Sequence, residues 1–251
     1  MLVFDFETGP QPEEELRAKW QPPDCSDLVE TEFDPRSVKL GNLKDPAKIA
    51  DKIEAARAVH AERMGRLDQE REQRITASWR EFVDGAALSA IHGMIIACGI
   101  YRTTDHAFLF MDGDERSILE RFWDVVDIAL QVPHDQMAGH NIIDFDLPFA
   151  IQRSWILGVD YPRSVVTGLT DRWLKWHPMF VDTRRVWLLA TNHRGSSFSD
   201  LARAFGTDGK HDGLDGSQFA ELLQRDRERA IEYLREDCRQ PAIWLRRMGI
   251  V

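Results

Sequence analysis

Near the start of the chain two acids separated by one residue, Asp5 and Glu7, follow the apolar run Leu2-Val3-Phe4 and precede Gly9-Pro10. The run reads as a buried strand that ends in a turn. Residues two apart on a strand share a face, so Asp5 and Glu7 present two carboxylates side by side at the strand's end. Adjacent like charges repel unless a cation joins them, and a hard divalent ion such as Mg²⁺ or Mn²⁺ takes oxygen ligands of this kind. Most Asp-x-Glu pairs are solvated surface acids, but a surface pair has less reason to follow three apolar residues directly.

A second stretch, Gly139-His140-Asn141-Ile142-Ile143-Asp144-Phe145-Asp146-Leu147-Pro148-Phe149, lies where a strand gives way to a helix. In α/β sheets such junctions are where ligands gather. Asp144 and Asp146 are both candidates, and only one need face a site. An acid in a first helical turn also complements the helix dipole, which is an ordinary reason for Asp144. His140 reads as a partly buried structural histidine in preference to a ligand. The third stretch is Tyr233-Leu234-Arg235-Glu236-Asp237-Cys238. On a helix i and i+4 share a face, so the Tyr233 hydroxyl and the Asp237 carboxylate can reach one point. Taken alone, the pair is better explained as an amphipathic helix with an exposed acid and a half-buried tyrosine.

These residues need a folded frame, and the composition allows one. A chain of 251 residues suits one large domain, or one domain with a substantial insertion. Hydrophobic residues make up 43% and charged residues 29%, near the values of folded soluble proteins. The net charge of −10 argues against a broad basic surface for nucleic acid, while leaving room for an enzyme that touches a few phosphates through metal ions. The longest apolar run, Met94 to Tyr101, is far short of the roughly 18–20 residues of a membrane span, and no membrane partner is expected. The start of the chain lacks the basic residues and longer apolar stretch of a secretory signal. Cys25, Cys98 and Cys238 show no short metal-ligand spacing and read as reduced thiols, which predicts a cytoplasmic location.

Between the motifs, Pro12, Pro22, Pro23 and Pro35 predict an extended excursion from Gln11 to Asp45. Asp45-Pro46 then opens a long, narrow-striped helix to Arg80, with a break expected near Gly65. Met94–Tyr101 and His106–Met111 predict two neighbouring strands joined by a short turn, and Asp114–Leu130 a helix. Met137–His140 predicts a short strand, and Asp144–Leu157 a helix. Met179-Phe180-Val181 predicts a strand before a helix capped by Asp182 or Thr183, and the chain from Ser197 onward reads as helical around a Gly-rich segment, Gly206 to Gly216. Strands first, then alternation, then helices describe a three-layer α/β domain with a mixed sheet.

In this order, Asp-x-Glu at the first strand, Asn-x3-Phe-Asp at a middle helix and Tyr-x3-Asp at a late helix, the three stretches resemble the DEDD superfamily of 3'-5' exonucleases in its tyrosine-bearing (DEDDy) branch. The histidine-bearing branch expects His-x4-Asp in the third motif, where position 232 here is Glu232. Residues 1–10 and 90–249 follow the family order. The narrower similarity is to free-standing exonucleases related to the proofreading domain of family B DNA polymerases, in which Lys44-Asp45-Pro46-Ala47-Lys48-Ile49 and Ala86-Ala87-Leu88-Ser89 have counterparts. The resemblance implies an RNase H-like fold and a single exonuclease domain over residues 1–251, with a largely helical insertion at about 11–88. The size of that excursion departs from most members and bears on how substrate approaches.

The resemblance further implies Asp5, Glu7, Asp146 and Asp237 as ligands of two divalent ions, Mg²⁺ or Mn²⁺, with Tyr233 orienting the attacking water. Asp5 would bridge both ions, Glu7 and Asp237 would complete the nucleophile-side site, and Asp146 would support the other. Two ions roughly 3.5–4 Å apart suit an in-line displacement that releases a nucleoside 5'-monophosphate. Tyr233 need not ionise, because a neutral phenol accepts or donates a hydrogen bond. Thr8, Asn141, Phe145 and Lys210 are candidate substrate contacts. The substrate expected is the 3' end of single-stranded DNA, with RNA as the alternative within the same fold. A nucleic-acid-binding protein without catalysis is the alternative from another class, and the presence of all four acids and the tyrosine weighs against it. Any coupling to replication or repair is expected through a partner.

Other signals carry less. Gly206-Thr207-Asp208-Gly209-Lys210-His211-Asp212-Gly213 lacks the Gly-x4-Gly-Lys-Ser/Thr pattern of a nucleotide-binding loop and reads as a connector. Asp182 is a helix cap in preference to a fifth acid of the site. Trp173 and Trp176 could stack bases, although most aromatics are core. The arginines between Pro46 and Arg80, among them Arg63, Arg66 and Arg71, are interleaved with acids and read as a solvated face, with a substrate-guiding arm or an oligomer contact as the sharper reading.

Overall fold

The computed structural model describes residues 1–29, 31–132, 135–167, 175–189, 191, 195–207 and 218–250. The chain divides into two compact units, Met1–Glu13 with Ala86–Val251, and Glu14–Gly85. Its elements are β1 (Leu2–Pro10), α1 (Glu13–Lys19), α2 (Pro46–Ala86), β2 (Gly93–Arg102), β3 (Phe108–Asp112), α3 (Glu115–Gln131), β4 (Met137–Gly139), α4 (Asp146–Leu157), β5 (Val166–Thr167), β6 (Lys175–Trp176), β7 (Phe180–Asp182), α5 (Thr183–Leu188), α6 (Phe198–Phe205), α7 (Phe219–Arg225) and α8 (Arg227–Arg247).

In the first unit the described strands form a five-stranded sheet in the order β3-β2-β1-β4-β7. β1 runs antiparallel to β2 and parallel to β4, so the sheet is mixed, as the element order predicts. Alternation along β1 sorts its side chains between two layers. Phe4 and Phe6 meet Phe122 of α3, with ring centroids 5.1 and 4.7 Å away. Val3, pointing the other way, joins Cys238 and Leu245 of α8 in a separate apolar cluster. Helices therefore cover both faces of the sheet, and the odd-numbered residues of β1, which include Asp5 and Glu7, face α8.

Two glycines set how closely the layers approach. Gly99 of β2 lies opposite Asp5, and a Cβ on it would sit 2.8 Å from Leu234 Cγ, so only glycine lets α8 lie this near the sheet. At Gly139 a Cβ would run into the Ile142 side chain and the Phe4 carbonyl, so glycine allows the chain leaving β4 to fold back against β1. A buried ion pair ties the other layer together. Arg153 of α4 donates from Nε and Nη2 to the two oxygens of Glu115 in α3, at 2.8 and 2.6 Å, and from Nη1 to the Ala90 carbonyl at 2.9 Å.

The second unit has little sheet-like order. Pro22, Pro23 and Pro35 keep the described residues of 20–45 irregular apart from a 3-10 turn at Pro35–Ser37, as expected, whereas α1 replaces part of the predicted extended excursion with a short helix. The Arg17 guanidinium stacks 3.8 Å over the Trp79 ring of α2, and Trp20 meets the same ring edge-on at 5.4 Å. Arg74 grips Asp27 with both carboxylate oxygens, at 2.8 and 2.9 Å, and Arg71 donates to the Leu28 carbonyl at 3.0 Å.

Several local expectations are corrected. The long helix is continuous over 41 residues and passes through Gly65 without a break. A lone glycine costs about 1 kcal/mol relative to alanine, which a helix of this length absorbs. The short strand predicted to His140 ends at Gly139, and the helix predicted from Asp144 starts at Asp146, because the Asp144 and Phe145 amides turn back to the Asn141 carbonyl at 3.2 and 3.0 Å. The pair β5 and β6 was not anticipated, since two-residue strands carry no periodicity. No helix among the described residues is long and apolar enough to cross a membrane.

Candidate active site

The middle of β1 carries the candidate site: the strand continues past the acids and stays paired with β2 through Gly9 and Pro10, so the strand end expected at Asp5 and Glu7 lies three residues further on. Asp5 and Glu7 project toward α8, and Asp237 of α8 comes up from the facing layer, so that one carboxylate oxygen from each lies within 4.8 Å of the others. Glu7 and Asp237 are buried and Asp5 is half-buried. A register irregularity between Glu7 and Thr8 falls at this point. Bulges bend the strand that carries them and re-aim its side chains.

Tyr233, one helical turn before Asp237, is buried on the same face of α8. Burial, followed by the negative charges of Asp237, Glu7 and Asp5, raises its phenol far above the ordinary value, so the hydroxyl stays protonated and serves as a hydrogen-bonding group. Cys98 and Cys238 are buried in separate apolar clusters, and burial, followed by the charge of Asp5, pushes both thiols well above their ordinary range. Cys25, Cys98 and Cys238 are free thiols.

Asp146 is seated differently. It opens α4 and is buried, and its Oδ1 accepts the Phe6 N–H at 3.1 Å. β4 pairs with β1 only at Leu2 and Val3, so Asp146 takes a β1 amide beyond the last strand pair. Burial raises the Asp146 carboxyl to about 7, opposed by the Phe6 N–H and reinforced by the negative charge of Asp182. The structure thus brings Asp5, Glu7 and Asp237 into one close trio and holds Asp146 against the backbone between the first two.

Three mutually facing carboxylates, two of them buried, are an all-oxygen donor set whose repulsion a hard divalent cation relieves. The residues present therefore fit such an ion.

Among the described residues, none of the other expected contacts belongs to this acid trio. Thr8 is half-buried beside the strand irregularity. Asn141 has a left-handed backbone, φ 63°, and its Oδ1 accepts Arg184 Nη1 at 2.7 Å. Phe145 packs its ring 5.6 Å from Phe149. Trp176 lies at the edge of the core, 6.3 Å from the Phe180 ring. Lys210 and Trp173 lie outside the described residues. Asp144 is held by Arg185 at 2.7 Å, which leaves Asp146 as the acid of this stretch that turns inward. His140 is half-buried, with Nδ1 2.9 Å from the Thr183 hydroxyl.

Sequence reasoning missed how much Asp182 holds. It caps α5 as predicted, but it also accepts two amides from the Gly139–Phe145 stretch. It missed as well the Glu115–Arg153 pair, although Arg153, four residues after Phe149, stands on the apolar side of its helix.

Residues 97–248 match a family described as a predicted 3'-5' exonuclease related to the exonuclease domain of PolB. The match takes in Asp146, Tyr233 and Asp237 and begins after β1. In fold the chain is similar to the family B DNA polymerase from the hyperthermophilic archaeon Pyrobaculum calidifontis, with a TM-score of 0.51 and 16% identity over 66% of this chain. The similar region is 23% of the polymerase. No curated protein matches the chain. The mixed five-stranded sheet with helices on both faces is the RNase H-like arrangement expected from the sequence.

Proposed function

Because the chain belongs to the family of predicted 3'-5' exonucleases related to the exonuclease domain of PolB, we propose that it removes nucleotides from the 3' end of single-stranded nucleic acid, DNA in preference to RNA, as nucleoside 5'-monophosphates. We assign it to the tyrosine-bearing branch and treat residues 1–251 as one catalytic domain, with the Glu14–Gly85 unit inserted in it. The observation that carries the reading is the convergence of Asp5, Glu7 and Asp237 within 4.8 Å.

In this reading Asp5, Glu7, Asp146 and Asp237 hold two divalent ions, Mg²⁺ or Mn²⁺. When bound, the ions supply Lewis acidity to the attacking water and to the leaving 3' oxygen. The protein supplies the rest. Its buried carboxylates fix where the phosphodiester can sit, because they are anchored on a central strand and a packed helix and not on loops. Tyr233 keeps its proton and offers the hydroxyl to the water, orienting a lone pair toward phosphorus. Its ring, packed 5.8 Å from Phe219, leaves the hydroxyl little freedom to wander. The Phe6 amide holds Asp146 in one rotamer, so that the carboxylate is placed before substrate arrives.

Digestion of 3'-labelled and 5'-labelled DNA and RNA oligonucleotides with Mg²⁺, Mn²⁺ or chelator tests the proposal. The expected result is a ladder shortened from the 3' end, monophosphate products, faster turnover of DNA and silence in chelator. Internal cuts, or cleavage in chelator, would overturn it, and faster turnover of RNA would replace the substrate.

A further inference from the structure

Asp182 ends β7 and caps α5, yet only part of its carboxylate serves the helix. Oδ1 accepts the Arg184 and Arg185 amides at 2.9 and 3.4 Å, both in α5. The same oxygen accepts the Asn141 amide at 3.0 Å, and Oδ2 accepts the Ile143 amide at 3.0 Å. The residue is 4% exposed. Three of the four amides share Oδ1 and one reaches Oδ2, so the carboxylate is committed chiefly to backbone donors on both sides of the junction.

The neighbouring residues grip the same stretch. The Thr183 hydroxyl meets His140 Nδ1 at 2.9 Å, Arg184 Nη1 bonds Asn141 Oδ1 at 2.7 Å, and Arg185 Nη2 bonds Asp144 Oδ1 at 2.7 Å. Four consecutive residues at the start of α5 therefore hold the segment that connects β4 to α4. Within that segment Asn141 sits at φ 63°, a conformation that persists where the surroundings over-determine it. The segment leads directly to Asp146, and the Leu147 amide bonds back to the Ile142 carbonyl at 2.9 Å. A shift of Asn141 or Ile143 would carry the Asp146 carboxylate with it.

We propose that Asp182 is a positioning residue of the site: by holding the Asn141 and Ile143 amides it fixes where the Asp146 carboxylate stands against β1. Its catalytic meaning rests on the exonuclease reading above, while the clamp can be tested without catalysis. Asp182→Ser separates the two duties of the side chain, because serine is a good helix cap but offers a single short-reaching oxygen. Full-length wild type, Asp182→Ser and Asp182→Asn are compared by amide hydrogen exchange, Mn²⁺ titration and hydrolysis of a single-stranded DNA oligonucleotide. In Asp182→Ser the Asn141 and Ile143 amides should exchange at least tenfold faster. Mn²⁺ affinity and kcat should each fall roughly 10- to 100-fold, as is usual when the partner that orients a ligand is lost, with KM changing much less. Asp182→Asn, which keeps the shape and one acceptor, should lie between and carries the same readouts if the serine variant does not fold. Unchanged exchange at Asn141 and Ile143 would overturn the clamp. Faster exchange with wild-type Mn²⁺ affinity and kcat would overturn the positioning role and leave Asp182 a structural residue. The wild-type arm speaks only to the exonuclease reading, which fails if the wild type neither binds Mn²⁺ nor shortens the oligonucleotide.

Discussion

In the Glu14–Gly85 unit, acids stand in water one helical turn from an arginine: Glu54 with Arg57, Glu62 with Arg66, Asp68 with Arg71 and Glu70 with Arg74. In the sheet unit, Asp5, Glu7 and Asp237 face one another, Asp182 is occupied by four amides, and Glu115 and Arg153 lock together at 7% and 5% exposure. Exposed pairs at this spacing contribute about 0.3–0.5 kcal/mol each, whereas a buried charge that loses its partner costs about 3–5 kcal/mol. The two units use the same residue types for opposite ends. One keeps a long helix soluble, and the other tolerates expensive charges where they bind, brace or position something.

The contrast is broken most directly at Asp5. Asp5→Ala should abolish hydrolysis, because it removes the acid expected to touch both ions. It should also leave the metal-free protein as stable as wild type or more so, since two carboxylates remain where three repelled; a gain of about 1 kcal/mol raises Tm by about 2–4 °C in a chain of this size. Saturating Mn²⁺ should stabilise the wild type against heat and do little for the variant. Full activity in Asp5→Ala would sink the mechanism. The brace comes next. Arg153→Ala should cost about 3–5 kcal/mol in denaturant unfolding, because Glu115 would be left charged and buried. A loss below about 1 kcal/mol would show that water reaches Glu115, and would erase the distinction from the pairs of α2.

Tyr233→Phe keeps the ring and its packing on Phe219 and removes the hydroxyl. A lost positioning contact costs roughly 100-fold in rate, about 2.7 kcal/mol at the transition state, with little change in Tm. If turnover is unchanged, Tyr233 is a packing residue and the third motif rests on Asp237 alone.

Much of the frame was legible because its cues are local. Leu2-Val3-Phe4 before two acids marked β1, and the i, i+4 spacing of Tyr233 and Asp237 placed both on one face of α8. The Gly139–Phe149 stretch was legible as a strand-to-helix junction, though its helix starts two residues later than the apolar pattern suggests. What stayed hidden depends on residues far apart in the chain. Nothing near Asp182 announces that two of its donors lie about 40 residues upstream. Nor does the pattern around Gly99 reveal that Leu234 needs the space a side chain would fill. The nearness of Asp237 to Asp5 is a consequence of that space, so the site was readable as a set of residues and not as a geometry.

The smallest expected effect lies on α2, where the arginines could be a guide for the incoming strand or a solvated face. The helix itself contains eight Lys or Arg and eight Asp or Glu, so it carries no net charge with which to draw a polyanion. Arg71 is already engaged by Asp68 and the Leu28 carbonyl, and Arg74 by Asp27 and Glu70, which makes them fastenings of their own unit. Arg63 and Arg66 are the exposed pair left to test, and Arg66 is bonded to Glu62. Reversing both to Glu should change stability by no more than about 0.5 kcal/mol, the range of surface substitutions. It should also leave KM unaltered on dinucleotides and on long single strands alike, with the same slope of binding against salt. A rise in KM on long strands only, with a flatter salt dependence, would mean that phosphates pass along this helix.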